Sequence, residues 1–568
     1  MSKLRVISPT FSDQSNVLKK KEIMKTCYDE EEMKKQIKEC VREWCENTTS
    51  HGFSNMVKTD SNLIRVSWVV LVLCFSSYCL YTVINSINSY LAYEVSVNYQ
   101  IVADSSAEFP AVTICNLNPF DVAAETSTGE YIIQNLKSNS MTPVITTNNG
   151  QVAYLLVDDA ANILKATVNS DKNLTRAGLE KLGFTLDTML ISCYYDHDQC
   201  NSSNFTWFHD SEFGNCYTFN ALFDENNNFK EPLVTSKTGP VHGLNLELFV
   251  GAGGAQDYYT VKKGVKVAIH QRGVRPIMKY EGVYVGIETA AHIGFSRTNY
   301  SKQPYPYNNC RKDTQKILAT DSLYFNYTLK LSKYSQKLCY EFCMQFEQIV
   351  PNCGCADPRI PIVDSNLNIC HNKSSLACVK SNRDHFDHLN IAEICDKHCP
   401  YECDSLVFMT TVSTASYPTD YYANLLMSQD NIIRKFNPKN VFVPEILEQN
   451  EKVSEEDSSE EENENDYVVT RVFNTISNQT VEIKKKPTDI EIKESILMLS
   501  IYYDDLRYLY VKESPSMSFD TLMGIVGGQF GLYLGASFLS FVEIVEMLVN
   551  ISRIVSKYKL SRRSFNLN

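Results

Sequence analysis

Two stretches of the chain carry no Asp, Glu, Lys or Arg: 25 residues from Val66 to Tyr90 and 22 from Thr521 to Val542. Each is long enough for the roughly 20 apolar residues that cross a hydrocarbon core. The first follows a polar, charged segment (1–62), so it does not read as a cleaved signal peptide, whose apolar run starts near the N-terminus. The pattern predicts two membrane helices, over 63–90 and 516–552, with a large domain (91–515) between them and a tail (553–568) after the second. Inside that domain LNLELFV (244–250) and VKVAIH (265–270) alternate apolar and polar residues, and ILMLSIYY (496–503) is rich in strand-forming types. A sheet whose strands run into membrane helices couples outside movement to the bilayer. CYEFC (339–343) and CDKHC (395–399) each space two cysteines by four, one face of a helix, so two helices stapled side by side are expected.

Flanking charge orients the spans. Lys58 and Arg65 precede the first, and Arg553, Lys557, Lys559, Arg562 and Arg563 follow the second with no acid among them, which puts both termini in the cytoplasm. The central domain is then extracellular, in an oxidising compartment. It holds 14 of the 19 cysteines, ten of them from Cys310 to Cys403, an even number that reads as a disulfide framework rather than a zinc site. Seven Asn-x-Ser/Thr glycosylation sequons lie in the same domain, at Asn173, Asn201, Asn204, Asn299, Asn326, Asn372 and Asn478. A net charge of −13 argues against a nucleic-acid partner. The run at 449–466 holds nine acidic residues and one lysine from Glu451 to Asp466, a solvated insertion by composition. No HExxH, GxSxG or phosphate loop is present, so an ectoenzyme is disfavoured.

The second span is unusual for a membrane helix. Gly524, Gly528, Gly531 and Gly535 share one helical face, and Glu543 and Glu546 stand one turn apart at its inner end. Small residues let neighbouring backbones approach. Intramembrane acids line water or a bundle interior, and rings of them concentrate cations. A helix broken at Gly535, Ala536 and Ser537 frees carbonyls that need a wet passage or ions as partners. These features together predict a pore.

FPAVTICNLNPF (109–120), GNCYTFN (214–220), the cysteine ladder and GGQFGLYLGAS (527–537) together resemble the degenerin and epithelial sodium channel family, which includes acid-sensing and peptide-gated channels. The resemblance runs from His51 to Glu546 and is weakest across 430–490. It implies a membrane protein with two transmembrane α-helices and a large disulfide-rich α+β extracellular domain of palm, finger, thumb, knuckle and β-ball. The finger falls within 121–300 and the thumb within 310–403. It implies a homotrimer or heterotrimer at the plasma membrane, conducting sodium and blocked by amiloride, without a cofactor or metal site. Gly535, Ala536 and Ser537 match the family's Gly-x-Ser filter. His51 and Gly52 match a His-Gly motif that, with Glu543 and Glu546, belongs to the lower pore. Gly524 matches the position where bulk holds degenerins open, and Tyr93 and Tyr307 match an aromatic gating contact. The implied disulfides are Cys115–Cys216, Cys193–Cys200, Cys310–Cys403, Cys339–Cys399, Cys343–Cys395, Cys353–Cys378 and Cys355–Cys370.

YEVSV (93–97) lacks the histidine of acid-sensing relatives, and Val379 and Lys380 follow Cys378 where those relatives carry acids. The subtype expected is therefore the invertebrate FMRFamide-gated one, opened by an extracellular neuropeptide, with proton gating or constitutive opening as the alternatives. A cationic amidated peptide needs an acidic, aromatic pocket, for which Tyr194, Tyr195, Asp196 and Asp198 are the candidates. Outside the family, a two-helix scavenger-type lipid receptor shares the topology but does not require glutamates in its second span. A nucleotide-gated trimer would need a lysine-rich site that is not found.

Overall fold

The computed structural model describes residues 30–121, 161–252, 260–364, 366–388, 394–436 and 487–565. The acidic insertion, Asn478 and part of the expected finger fall outside these residues. Two compact units form, one from 1–96 with 514–568 and the other from 97–513.

The first unit is helical. Helix α1 spans 30–47, α2 Phe53–Lys58, α3 Asn62–Leu91, α4 Phe519–Leu534 and α5 Phe538–Phe565. At about 1.5 Å per residue, the 30 residues of α3 reach about 45 Å. Among the described residues α3 is the one helix that is alone long and apolar enough to cross a membrane, and α4 with α5 passes the same test as a pair bent by 72°. Within α3 only Cys79 and Val83 are buried, and Leu73, Leu80 and Tyr81 are exposed. Tyr78 meets Tyr533 edge to face at 5.2 Å, and Gln529 Nε2 donates to Ser86 Oγ at 3.1 Å, so α3 and α4 pack together.

The second unit is built on two sheets. The larger orders its strands Val95–Ala103, Arg507–Pro515, Thr289–Ser301, Ile496–Tyr503, Leu244–Phe249, Leu190–Tyr195 and Asp198–Gln199, with Asp404–Ser416 also pairing along Thr289–Ser301. The smaller orders Val283–Gly286, Gly264–His270, Ala111–Asn116, Gly214–Phe219 and Phe205–Asp210. Leu244, Leu246 and Leu248 point to the core while Asn245 and Glu247 do not, as alternation in LNLELFV requires. The other alternating stretch behaves differently. Strand Gly264–His270 lies between two partners, and its Lys266 is 2% exposed. The Lys266 ammonium donates to the Lys279 carbonyl at 3.2 Å and sits 4.5 Å from the Tyr284 ring centroid, which compensates for lost water. Phe109 joins the layers, edge-on to Tyr195, Phe219, Phe295 and Tyr503 at 5.1 to 6.3 Å.

Seven disulfides brace this unit: Cys115–Cys216, Cys193–Cys200, Cys310–Cys403, Cys339–Cys399, Cys343–Cys395, Cys353–Cys378 and Cys355–Cys370. They are the pairs that the resemblance implies. Cys339 and Cys343 lie on a helix, Gln336–Met344; of their partners Cys395 is helical, at the end of the helix that includes Ile394, and Cys399 lies just beyond it. Cys395 and Cys399 stand on one turn, closed by Cys399 N–H to Cys395 O at 2.8 Å. Cys343–Cys395 thus joins two helical residues, while Cys339–Cys399 joins the helix to the turn after Cys395. Behind it, Arg383 joins Asp357 and Glu341, each at 2.6 Å. Burial pushes the Asp357 carboxyl up, but Arg383 and Arg359 outweigh it and hold it below the ordinary range.

Two partly buried histidines are expected to make this unit sensitive to acid. Burial pushes His209 and His270 each down to about 4. His270 Nδ1–H donates to the Gln271 carbonyl, and Nε2 lies 2.8 Å from the Thr113 hydroxyl, contacts that suit a neutral ring. Unfolded, each histidine binds a proton near the unperturbed value of about 6.5. The unfolded chain therefore holds more protons between about 6.5 and 4, so stability is full above that window and falls as pH drops through it. We expect a loss of about 2 kcal/mol per histidine from pH 7 to pH 5. Thermal unfolding of the purified protein should show a falling Tm over that range, with a shallower fall in His270→Gln. An identical slope in that variant would assign the acid sensitivity elsewhere.

Candidate pore site and its supports

Apolar side chains carry α4 as far as Leu534, where Gly535 ends it. Its φ of 59° and ψ of 17° are left-handed, a conformation glycine adopts without the Cβ penalty. Gly535 N–H returns to the Gly531 carbonyl at 3.0 Å and Ala536 N–H to the Phe530 carbonyl at 3.2 Å. Ser537 then caps the next helix: its N–H donates to Ser540 Oγ at 3.0 Å, and Ser540 N–H donates to its carbonyl at 3.0 Å. The three filter candidates therefore form the non-helical break itself, at the 72° bend.

His51 and Gly52 lie against this break. His51 N–H donates to the Leu534 carbonyl at 2.8 Å, giving a partner to one of the acceptors a helix end leaves open. A Cβ on Gly535 would lie 2.2 Å from His51 Nδ1. Gly52 has φ 88°, and a Cβ there would meet Val72 Cγ2 at 2.5 Å. Each glycine answers to a close approach of its own, Gly535 to the His51 ring and Gly52 to Val72 of α3.

The sequence reading missed the tie beneath it. Thr48 Oγ1 donates to Glu543 Oε2 at 2.8 Å, Thr49 Oγ1 to Oε1 at 3.1 Å and Thr49 N–H to Oε2 at 3.2 Å. Thr49 Oγ1 also lies 2.8 Å from Ser540 Oγ. Glu543 thus positions the N-terminal segment in addition to supplying charge, whereas Glu546 is exposed. The available signal was NTTSHG (47–52), where two hydroxyls precede the His-Gly pair.

At about 100° per residue, Gly524, Gly528 and Gly531 fall on the side of α4 opposite Gln529 and Tyr533, which meet α3. A Cβ on any of the three would meet nothing within 4 Å. Tyr93, two residues past the end of α3, has φ 51°, and Tyr307 N–H donates to the Pro304 carbonyl at 3.1 Å in the other unit.

The four ligand candidates do not form one pocket. Tyr194 is 46% exposed, while the Tyr195 ring enters the core beside Phe109 and Phe219, because neighbours on a strand face opposite ways. Asp196 turns to His242, Oδ1 to Nδ1 at 2.7 Å, and Asp198 is exposed. A cavity of about 510 Å³ lies elsewhere. Lys165, Lys279, Lys373 and Lys380 line it with Glu212 and Asp384, while its Arg359 and Arg383 are paired with Asp357 and Glu341, so the balance of its lining leans towards an anion.

Among the sequon asparagines, Asn173, Asn201, Asn204 and Asn372 are exposed. Asn299 and Asn326 are partly buried, with Oδ1 atoms closed off from solvent. Glycan attachment is sterically easier at the first four.

Residues 44–547 match the family model described as Amiloride-sensitive sodium channel. The chain is 23% identical over 547 residues to the FMRFamide-activated amiloride-sensitive sodium channel of Cornu aspersum, an alignment covering 89% of this chain and 82% of that protein. It is 23% identical to epithelial sodium channel subunit gamma of Xenopus laevis (90% of this chain, 80% of that one) and 23% identical to degenerin del-1 of Caenorhabditis elegans (95% and 93%). With the match extending over both units, the chain belongs to the amiloride-sensitive sodium channel family.

Proposed function

We propose that three copies of the chain, alone or with related subunits, form a sodium-selective channel in the plasma membrane with both termini inside, opened by an extracellular peptide and blocked by amiloride. The observation that carries the conducting part is the broken apolar span at Gly535, Ala536 and Ser537 with His51 docked against it. A break in the helical ladder within a bilayer is tolerated where the backbone meets protein or water. Small residues there let a partly dehydrated ion reach backbone oxygens. The open glycine face of α4 leaves room for like helices around one axis. The FMRFamide-activated relative supports peptide gating. Burial lowers His209 and His270 to about 4, below the range of mild acid, which supports peptide over proton gating.

A second reading of the ligand follows from the basic cavity: an acidic peptide fits its lining better than an FMRFamide-type one. Recording from oocytes that express this chain alone distinguishes the readings. Under the leading reading, FMRFamide-type peptides evoke an inward sodium current that amiloride removes. Current from acidic peptides alone would favour the cavity, and current from acid alone would end the peptide assignment.

A further inference from the structure

Beside the Cys193–Cys200 disulfide, the strand pairs Tyr194 with Gln199 and Tyr195 with Asp198, leaving Asp196 and His197 as a two-residue turn. Both have positive φ, 47° and 73°, as such a turn demands. Asparagine and glycine suit these positions; a histidine in the left-handed region costs about 1 kcal/mol. The turn carries its imidazole to a second one. His242, 46 residues from Asp196 in sequence, ends a short turn whose Gly239 N–H donates to the Tyr503 carbonyl at 3.1 Å and whose Pro240 carbonyl accepts from Asn245 Nδ2 at 2.8 Å. The rings of His197 and His242 meet edge to face at 5.1 Å, and Asp196 Oδ1 lies 2.7 Å from His242 Nδ1. One ligand atom from each of the three residues lies within 4.8 Å of the other two.

We propose that Asp196, His197 and His242 form a binding site for a divalent transition-metal ion, Zn²⁺ by preference. Two imidazoles and one carboxylate are the donor set of zinc with a fourth position left to water. Imidazole nitrogen argues against calcium or magnesium, which take oxygen. Around a tetrahedral ion with bonds of about 2.0–2.2 Å, ligand atoms sit roughly 3.3 Å apart. The ligand atoms already lie within 4.8 Å of one another, and on binding the exposed His197 ring would turn to close the remaining distance. The disulfide holds one ligand-bearing turn and the Tyr503 and Asn245 hydrogen bonds hold the other, so little ordering remains to be done on binding. With three ligands and partial exposure, the site is reversible rather than structural. The ion would tie the turn at 196–197 to the one that leads into strand Leu244–Phe249.

The site is independent of conduction and is tested without it. Zn²⁺ is titrated calorimetrically into the purified full-length protein and into His197→Ala, His242→Ala, Asp196→Asn and, as the neighbouring carboxylate outside the triad, Asp198→Asn. Expected is one Zn²⁺ per chain, bound at least tenfold more weakly in the two histidine variants and in Asp196→Asn, with Asp198→Asn unchanged. A companion titration with Co²⁺ should give a visible absorption band that His197→Ala abolishes. His197 lies at an exposed turn, so its variant decides the matter even if His242→Ala misfolds. Wild-type affinity in His197→Ala, or no Zn²⁺ bound by the native chain, overturns the proposal.

Discussion

Gly535→Ala should leave the chain at the cell surface while sodium current falls at least tenfold. The residue sits at φ 59°, where a Cβ costs about 1–2 kcal/mol, and that Cβ would overlap the His51 ring at 2.2 Å. Relief requires the His51 segment to move, which strains its N–H bond to Leu534 and the Thr48 and Thr49 bonds to Glu543. Bulk of the protein is untouched, so folding of the disulfide-braced unit should proceed. Current is compared with surface protein labelled by biotinylation. Unaltered current per surface channel would show that the close approach does not hold the break in working form.

A second substitution is expected to act in the opposite direction. Gly524→Tyr should raise resting sodium current at least tenfold without any ligand. Within one chain a Cβ at this position meets nothing within 4 Å, and the position lies on the side of α4 opposite the residues that meet α3, so the substitution is expected to spare the packing of α4 on α3. Its effect must then come from what lies across the glycine face, where other subunits stand in the proposed assembly and where the family resemblance locates bulk that prevents closing. Whole-cell current before ligand addition is the measurement. A silent Gly524→Tyr channel that nonetheless reaches the surface would mean the glycine face does not line a closing pore.

Features set by local pattern were legible in the sequence. The charge-free runs, the alternation in LNLELFV and the helix-ending glycine at 535 each depend on neighbours within a turn or a strand. The disulfide pairs were legible only through resemblance, because spacing does not choose among pairings. What escaped depends on partners far along the chain. Alternation in VKVAIH suggested one exposed face, yet strands on both sides and the Tyr284 ring bury Lys266. Tyr195 looked available beside Asp196 until the pleat turned it into the Phe109 cluster. Thr48 and Thr49 meet Glu543 across about 495 residues, so the hydroxyls of NTTSHG were visible in the sequence but their partner was not. His242 and Asp196 are likewise joined only by the fold.

The central claim is that Gly535, Ala536 and Ser537 select sodium. The most direct measurement is the reversal potential of current through Gly524→Tyr channels as external sodium is replaced by potassium, with Ser537 native and then as Ser537→Val. The native filter should show a reversal potential that shifts strongly negative in potassium, and the larger side chain should reduce that shift to a small fraction. An equal shift in both channels would contradict the assignment and move selection elsewhere along the span.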